Sequence, residues 1–127
     1  MVDALAKAIH IEVVTRYLSE QSDPPAGRFA FAYTVTIRNA GTQAAQLLDR
    51  HWLITDGNGK VQEVRGSGVI GEQPIIQPGT SHTYTSGCLL ETPVGSMRGS
   101  YGMSTSEGAL FRAPIQVFRL FKPNALN

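Results

Sequence analysis

The clearest structural signal in the chain is the run Arg28-Phe29-Ala30-Phe31-Ala32-Tyr33-Thr34-Val35-Thr36-Ile37-Arg38. Its large apolar side chains all fall on odd-numbered positions, and small, polar or charged residues fall on the even ones. Because successive side chains of a β-strand point to opposite faces of a sheet, this alternation predicts a long strand with one face in a core. The Asn39-Ala40-Gly41 segment predicts a turn at its end.

Six more strands are predicted on either side of this run, near residues 9–18, 48–56, 61–65, 80–90, 97–103 and 115–120. Residues 44–50 have helical propensity, but no capping residue frames them, so we interpret them as a loop that leads into a strand. Short strands at regular spacing predict an all-β fold, a sandwich of about seven antiparallel strands in two sheets. A single cysteine rules out the intersheet disulfide of antibody domains, which favours a fibronectin-III/immunoglobulin-like variant.

Bulk composition predicts one domain over residues 1–127, with an N-terminal tail of about residues 1–8 and a C-terminal tail of about 122–127. The net charge of +1 gives no electrostatic reason to expect DNA, RNA or an anionic membrane as partner. No segment approaches the roughly 20 apolar residues of a spanning helix, and the N-terminus lacks the apolar core of a signal peptide. With one cysteine, these features predict a cytoplasmic protein.

Motifs for metal binding and catalysis are missing from the sequence. The histidines, His10, His51 and His82, are far apart, and zinc sites normally need about four ligands with local spacing. His82 and Cys88 share one predicted strand, but six residues of strand separate them by about 20 Å. The sequence therefore predicts no metal, no cofactor and no enzymatic activity.

A glycine motif, G-x-G-x-x-G, spans residues 66–71. In dinucleotide-binding folds this motif opens a helix, whose N-terminus holds the pyrophosphate. Here Pro74 and Pro78 follow almost at once, which argues against a helix. Two interpretations remain: an anion-binding nest of backbone N–H groups, or a connection that uses glycine for tight bends. The first would place ligand-binding residues at Arg65, Gly66, Ser67, Gly68, Gly71 and Gln73.

A family resemblance is carried by a long ordered set of motifs from about Ile9 to Phe121. It includes the segments Leu48-Asp49-Arg50-His51-Trp52-Leu53-Ile54-Thr55-Asp56-Gly57, Val64-x-Gly66-x-Gly68-Val69-x-Gly71-x-Gln73-Pro74, Pro78-Gly79, Tyr84-Thr85-Ser86-Gly87-Cys88-x-Leu90-x-Thr92-Pro93-x-Gly95 and Met97-x-Gly99-x-Tyr101-x-Met103. These segments resemble the bacterial ApaG family. The resemblance implies a small fibronectin-type-III-like sandwich, encoded in many bacteria beside a diadenosine tetraphosphate hydrolase. Related domains occur in eukaryotic F-box proteins and in a protein that associates with DNA polymerase delta, which implies protein binding. The resemblance implies no catalytic residue.

Two functions are therefore expected from the sequence. The first is a non-enzymatic module for protein–protein contacts, with Arg50, Trp52 and Tyr101 as partner-binding residues because arginine and aromatic side chains anchor interfaces. Trp52 is also the obvious core residue of a sandwich, and for this residue we favour the core. The alternative is a phosphate-containing nucleotide or dinucleoside polyphosphate bound through the Gly66–Gly71 loop.

Overall fold

The structure, a computed structural model, describes residues 2–124. Eight β-strands are assigned within them: β1 (Ile9–Tyr17), β2 (Phe29–Asn39), β3 (Ala45–Asp56), β4 (Val61–Ser67), β5 (Ile75–Ile76), β6 (Ser81–Leu90), β7 (Val94–Thr105) and β8 (Leu110–Phe121). One short α-helix, α1 (Val2–Lys7), precedes them, and two single-turn 3-10 helices follow β1, at Ser19–Gln21 and Pro24–Ala26.

The strands form two antiparallel sheets. The first has the order β1-β2-β6 and the second has the order β4-β3-β7-β8, with β5 paired to the start of β3. The predicted all-β sandwich in two sheets is confirmed, and so is the long strand at β2. The prediction of about seven strands misses only β5, because its two residues are too few to show the alternation of a strand.

The core lies between the two sheets. From the first sheet it takes the odd-numbered apolar residues of β2, among which Val35 and Ile37 are fully buried. In the second sheet Leu47 and Trp52 both face the core although their numbers differ in parity. A β-bulge between Leu47 and Asp49 inserts one residue and reverses the alternation, so Arg50 and Trp52 point inward.

The two sides of the sandwich differ in closure. On one side β1 lies against β8, where the Thr15 hydroxyl donates to the carbonyl of Arg119 at 3.4 Å. On the other side the outermost strands are β4 and β6, and within residues 2–124 each pairs with a strand on one edge only. We call the β4 and β6 edges, together with the loop of residues 66–73, the open side. An ion pair between Lys60 and Glu91, 3.0 Å long, joins its two edges at one end.

The two predicted tails, residues 1–8 and 122–127, are described by the structure to different extents. The N-terminal tail contains α1, and its Leu5 and Ala6 pack against the core. The residues are mainly good helix formers, but a six-residue helix is too short to give a clear helical period. Of the predicted C-terminal tail, residues 125–127 lie outside the described residues.

Candidate functional site

The glycine motif forms a tight hairpin and not the start of a helix. Val69 and Glu72 exchange two backbone hydrogen bonds, 2.8 and 3.0 Å long. The two residues between them, Ile70 and Gly71, have φ values of 49° and 73°. Positive φ at both central residues is typical of the two-residue turns that connect antiparallel strands. The helix N-terminus that would hold a pyrophosphate is therefore missing from this loop, which runs from Gly66 to Gln73 and is called the glycine loop below.

One glycine of the loop is required by its geometry. Gly68 has φ +62°, and a Cβ built there would lie 2.1 Å from the carbonyl oxygen of Glu72 across the hairpin. The interpretation in which glycine permits tight bends thus accounts for Gly68 without a ligand. A Cβ on Gly66 would lie 2.9 Å from the guanidinium carbon of Arg50, which is the end of a flexible side chain and can shift.

The predicted ligand-binding residues are neighbours in the chain, but they do not converge on one point. Arg65 lies on the outer face of β4 and pairs with Glu63 at 3.1 Å. The amide of Gln73 and the backbone N–H of Gly68 both donate to the carbonyl of Leu48, at 2.9 and 2.8 Å. Arg65 therefore brings no charge to the inner side of the loop, where Gly66 lies.

Arg50 supplies the positive charge on that inner side. Its side chain passes over Gly66, and its Nη1 donates to the carbonyls of Ser67 and Gly68 at 3.0 and 2.9 Å. No carboxylate among residues 2–124 forms an ion pair with it. Arg50 was expected from the sequence as a partner contact; the structure places it between the sheets, tethering the glycine loop.

A cavity of about 220 Å³ lies beneath the glycine loop, between the two sheets at the open side. Its walls include Tyr33 of β2, Arg50 of β3, Ser67 and Ile70 of the loop, and Tyr84 and Ser86 of β6. We call this space the loop cavity. Sequence reasoning missed Tyr33, Tyr84 and Ser86 as parts of one site, because two strands distant in the chain, β2 and β6, bring them together. The only signal in the sequence was that each of these residues occupies a core-facing position of its own strand.

The tyrosines around the loop cavity are neutral at physiological pH. Burial raises the pKa of Tyr84 to about 12, and burial also raises the pKa of Tyr33 and of Tyr101. Tyr101 lies behind Tyr84, and their hydroxyls are hydrogen-bonded to each other. Since these phenols keep their protons, Arg50 is the charged group in the cavity wall.

The structure places Trp52 and Tyr101 in the core. They are 2% and 0% exposed, and both belong to the core. This burial argues against the interpretation of both as partner-binding residues: the bulge in β3 turns Trp52 inward, and Tyr101 lies beside Arg50 in the register of β3 with β7.

Other chemistry of the described residues is limited. Within residues 2–124, groups of three or more His, Cys, Asp or Glu side chains arranged to hold a metal ion are not found. Burial raises the pKa of the Cys88 thiol to about 11, so its reactive thiolate is scarce at neutral pH. No helix in this range is long and apolar enough to cross a membrane.

Ile70→Gly should raise the free energy of unfolding by about 1 kcal/mol. A β-branched residue at φ 49° holds about 1–3 kcal/mol of backbone strain, which exceeds the roughly 0.5–1 kcal/mol entropic disadvantage of glycine. Ile75→Gly is the matched control, because the two side chains are 61% and 60% exposed and Ile75 is not among the positive-φ residues. Urea unfolding should show the control destabilised by about 1 kcal/mol. Equal losses in both variants would contradict strain at Ile70.

Comparisons with known proteins agree with this architecture. The family model for the ApaG domain (DUF525) matches residues 19–105. A protein named ApaG from Pseudomonas paraeruginosa is 64% identical over 119 residues, 94% of each chain. An X-ray structure of the structural-genomics target SoR45 is 50% identical, with a TM-score of 0.92 over 97% of this chain and 93% of that one. The crystal structure of a protein named ApaA from Bordetella pertussis is also 50% identical, with a TM-score of 0.90 over 92% of this chain and 95% of that one. The chain therefore belongs to the ApaG family.

Proposed function

We propose that this chain is a non-enzymatic interaction module that binds a partner protein at the open side of the sandwich. The observation that carries the proposal is the separation of the two edge strands there: β4 and β6 each pair on one edge only within the described residues, whereas the edge strands of the other side, β1 and β8, lie against each other. An unpaired strand edge presents N–H and C=O groups that a partner segment can bind as an added strand. The strand order is also consistent with a fibronectin-type-III-like sandwich, an architecture common among interaction domains.

Apolar side chains are also available for contact along the open side. Val61 on β4, Ile70 at the tip of the glycine loop and Leu89 on β6 are 57%, 61% and 51% exposed. Large apolar side chains next to a free edge provide the area that a partner strand or loop can cover. The charged residues Glu63 and Arg65 lie on the outer face of β4, so they would rim such a contact.

Nucleotide binding through the glycine loop is less well supported. In its favour, Arg50 places a positive charge beside Ser67 and Gly68. Against it, the N–H groups of Gly68 and Val69 already donate to backbone carbonyls, and Arg65 faces away. A polyphosphate would therefore meet one arginine where such ligands usually engage several donors and charges.

Photo-crosslinking in cells tests the interaction surface. A benzoylphenylalanine placed at position 61 or 89 should crosslink to the same partner protein, and excess unlabelled protein should compete with it. Val14 on β1 is the matched control, because it is 70% exposed but lies on the closed side. Crosslinks that appear from position 14 as strongly as from 61 and 89, or from none of the three, would refute the open side as the binding surface.

A further inference from the structure

The loop cavity contains a charge without a counter-charge. Arg50 is partly buried, and it makes no ion pair within residues 2–124. Removing a charge from water is unfavourable unless an opposite charge or a full set of hydrogen bonds replaces the water. The two carbonyls of Ser67 and Gly68 occupy Nη1 only. Nε and Nη2 donate to no other protein group in the described range, and together they form the guanidinium edge that binds carboxylates with two parallel hydrogen bonds.

Two hydroxyl groups in the same wall complete the set of donors. Tyr33 and Ser86 lie opposite each other on β2 and β6 and line the cavity with Arg50. Each hydroxyl can donate one hydrogen bond, and burial keeps the phenol of Tyr33 protonated by raising its pKa. Hydroxyl donors around one guanidinium suit a small oxyanion in a space of about 220 Å³.

The charge of the cavity wall favours a ligand with one negative charge over a ligand with several. Arg50 is the arginine of the cavity wall, while Arg65 lies on the opposite face of β4 and is paired with Glu63. A phosphate monoester carries about −1.5 to −2 charges at pH 7, and a pyrophosphate carries more. A single arginine neutralises one carboxylate but leaves a phosphate or polyphosphate partly unpaired.

We propose that the loop cavity is a binding site for one carboxylate group, held by Arg50 and the surrounding hydroxyls. The group it takes is an acidic side chain or the C-terminal carboxylate of a partner protein, with Ile70 packing against the carbon atoms that carry it. This identification of the source rests on the proposed function, whereas the carboxylate site itself does not. The open edges of β4 and β6 would then bind the partner backbone while the cavity fixes its position with one charged anchor.

The test is an amide-resolved NMR titration of the labelled chain at constant ionic strength with sodium acetate, inorganic phosphate and ATP, with sodium chloride as reference. Acetate should shift the amides of Ile70, Gly71 and Ser86 along saturable curves. Arg50→Met should weaken acetate binding by about tenfold or more, the size of one charged hydrogen-bond interaction. The matched control Arg65→Met, on the outer face, should stay within about twofold of the unmodified protein.

A second variant keeps the test decisive if Arg50→Met disturbs the loop. Ser86→Leu should block the cavity, since Ser86 lines it, while it leaves the Arg50 bonds to Ser67 and Gly68 in place. Acetate shifts that do not saturate, or that persist unchanged in both Arg50→Met and Ser86→Leu, would overturn the proposal. Phosphate or ATP binding tenfold tighter than acetate would also overturn it, in favour of a nucleotide site.

Two small acids separate the sources. N-acetylglycine offers a C-terminal carboxylate and N-acetylglutamate amide offers a side-chain carboxylate; tighter binding of either identifies the preferred source. Acetate binding together with absent crosslinking at Val61 and Leu89 would retain the carboxylate site and reject the partner-protein function. Crosslinking at Val61 and Leu89 without acetate binding would retain the interaction surface and reject the carboxylate site.

Discussion

Gly68→Ala is expected to lower the free energy of unfolding by about 3 kcal/mol or more. The new Cβ would lie 2.1 Å from the carbonyl oxygen of Glu72, a backbone atom that no side-chain rotation can move away. The φ of +62° adds the cost of placing alanine in the left-handed region, so the hairpin of the glycine loop must open or shift. Urea unfolding followed by the fluorescence of the single tryptophan measures the change.

Gly71→Ala is the control for this substitution. Gly71 has a φ of +73°, but nothing lies within 4 Å of an added Cβ, so alanine there meets only the backbone strain of a positive φ. We expect a loss of about 1 kcal/mol. If both variants kept their stability and instead lost ligand binding, the glycines would serve a ligand and not the geometry of the loop.

The sandwich itself was predictable because its signals are local. The alternation in β2 is visible in eleven consecutive residues, and it predicts both the strand and its buried face. The turn after β3 is equally local: the Asp56 carboxylate accepts hydrogen bonds from the backbone N–H groups of Asn58 and Lys60, 2.8 and 2.9 Å long. Side chains that bind their own backbone mark turns in any fold, so no tertiary information is needed.

The site depended on a bulge that the sequence does not reveal. With strict alternation from Leu47, which is buried, Trp52 would point outward together with Arg50. The extra residue between Leu47 and Asp49 turns both inward, and this places Arg50 beneath the glycine loop. Arg65, by contrast, directly precedes the motif but lies on the outer face. Proximity in sequence therefore indicated one arginine, whereas the register of the sheet places a different one at the cavity.

Trp52→Ala is expected to lower the free energy of unfolding by about 4 kcal/mol, because it empties the centre of the core. The Trp52 ring packs edge-on against Tyr33, Tyr101 and Phe118, with ring centroids 5.5, 6.1 and 5.8 Å away. These rings come from both sheets, so the loss would loosen the contact between them. Circular dichroism during urea unfolding measures the change, since the variant lacks the fluorescent residue.

Two further variants separate a core role from an interface role at this position. Trp52→Phe should recover more than half of the loss, because it keeps most of the packing and removes an indole N–H that has no hydrogen-bond partner within residues 2–124. Val61→Ala, on the exposed edge strand, should change stability by no more than about 0.5 kcal/mol while weakening partner capture. A Trp52→Ala variant as stable as the unmodified protein would place this ring outside the core. The partner surface would then have to include the centre of the sandwich and not the edge at which we propose binding.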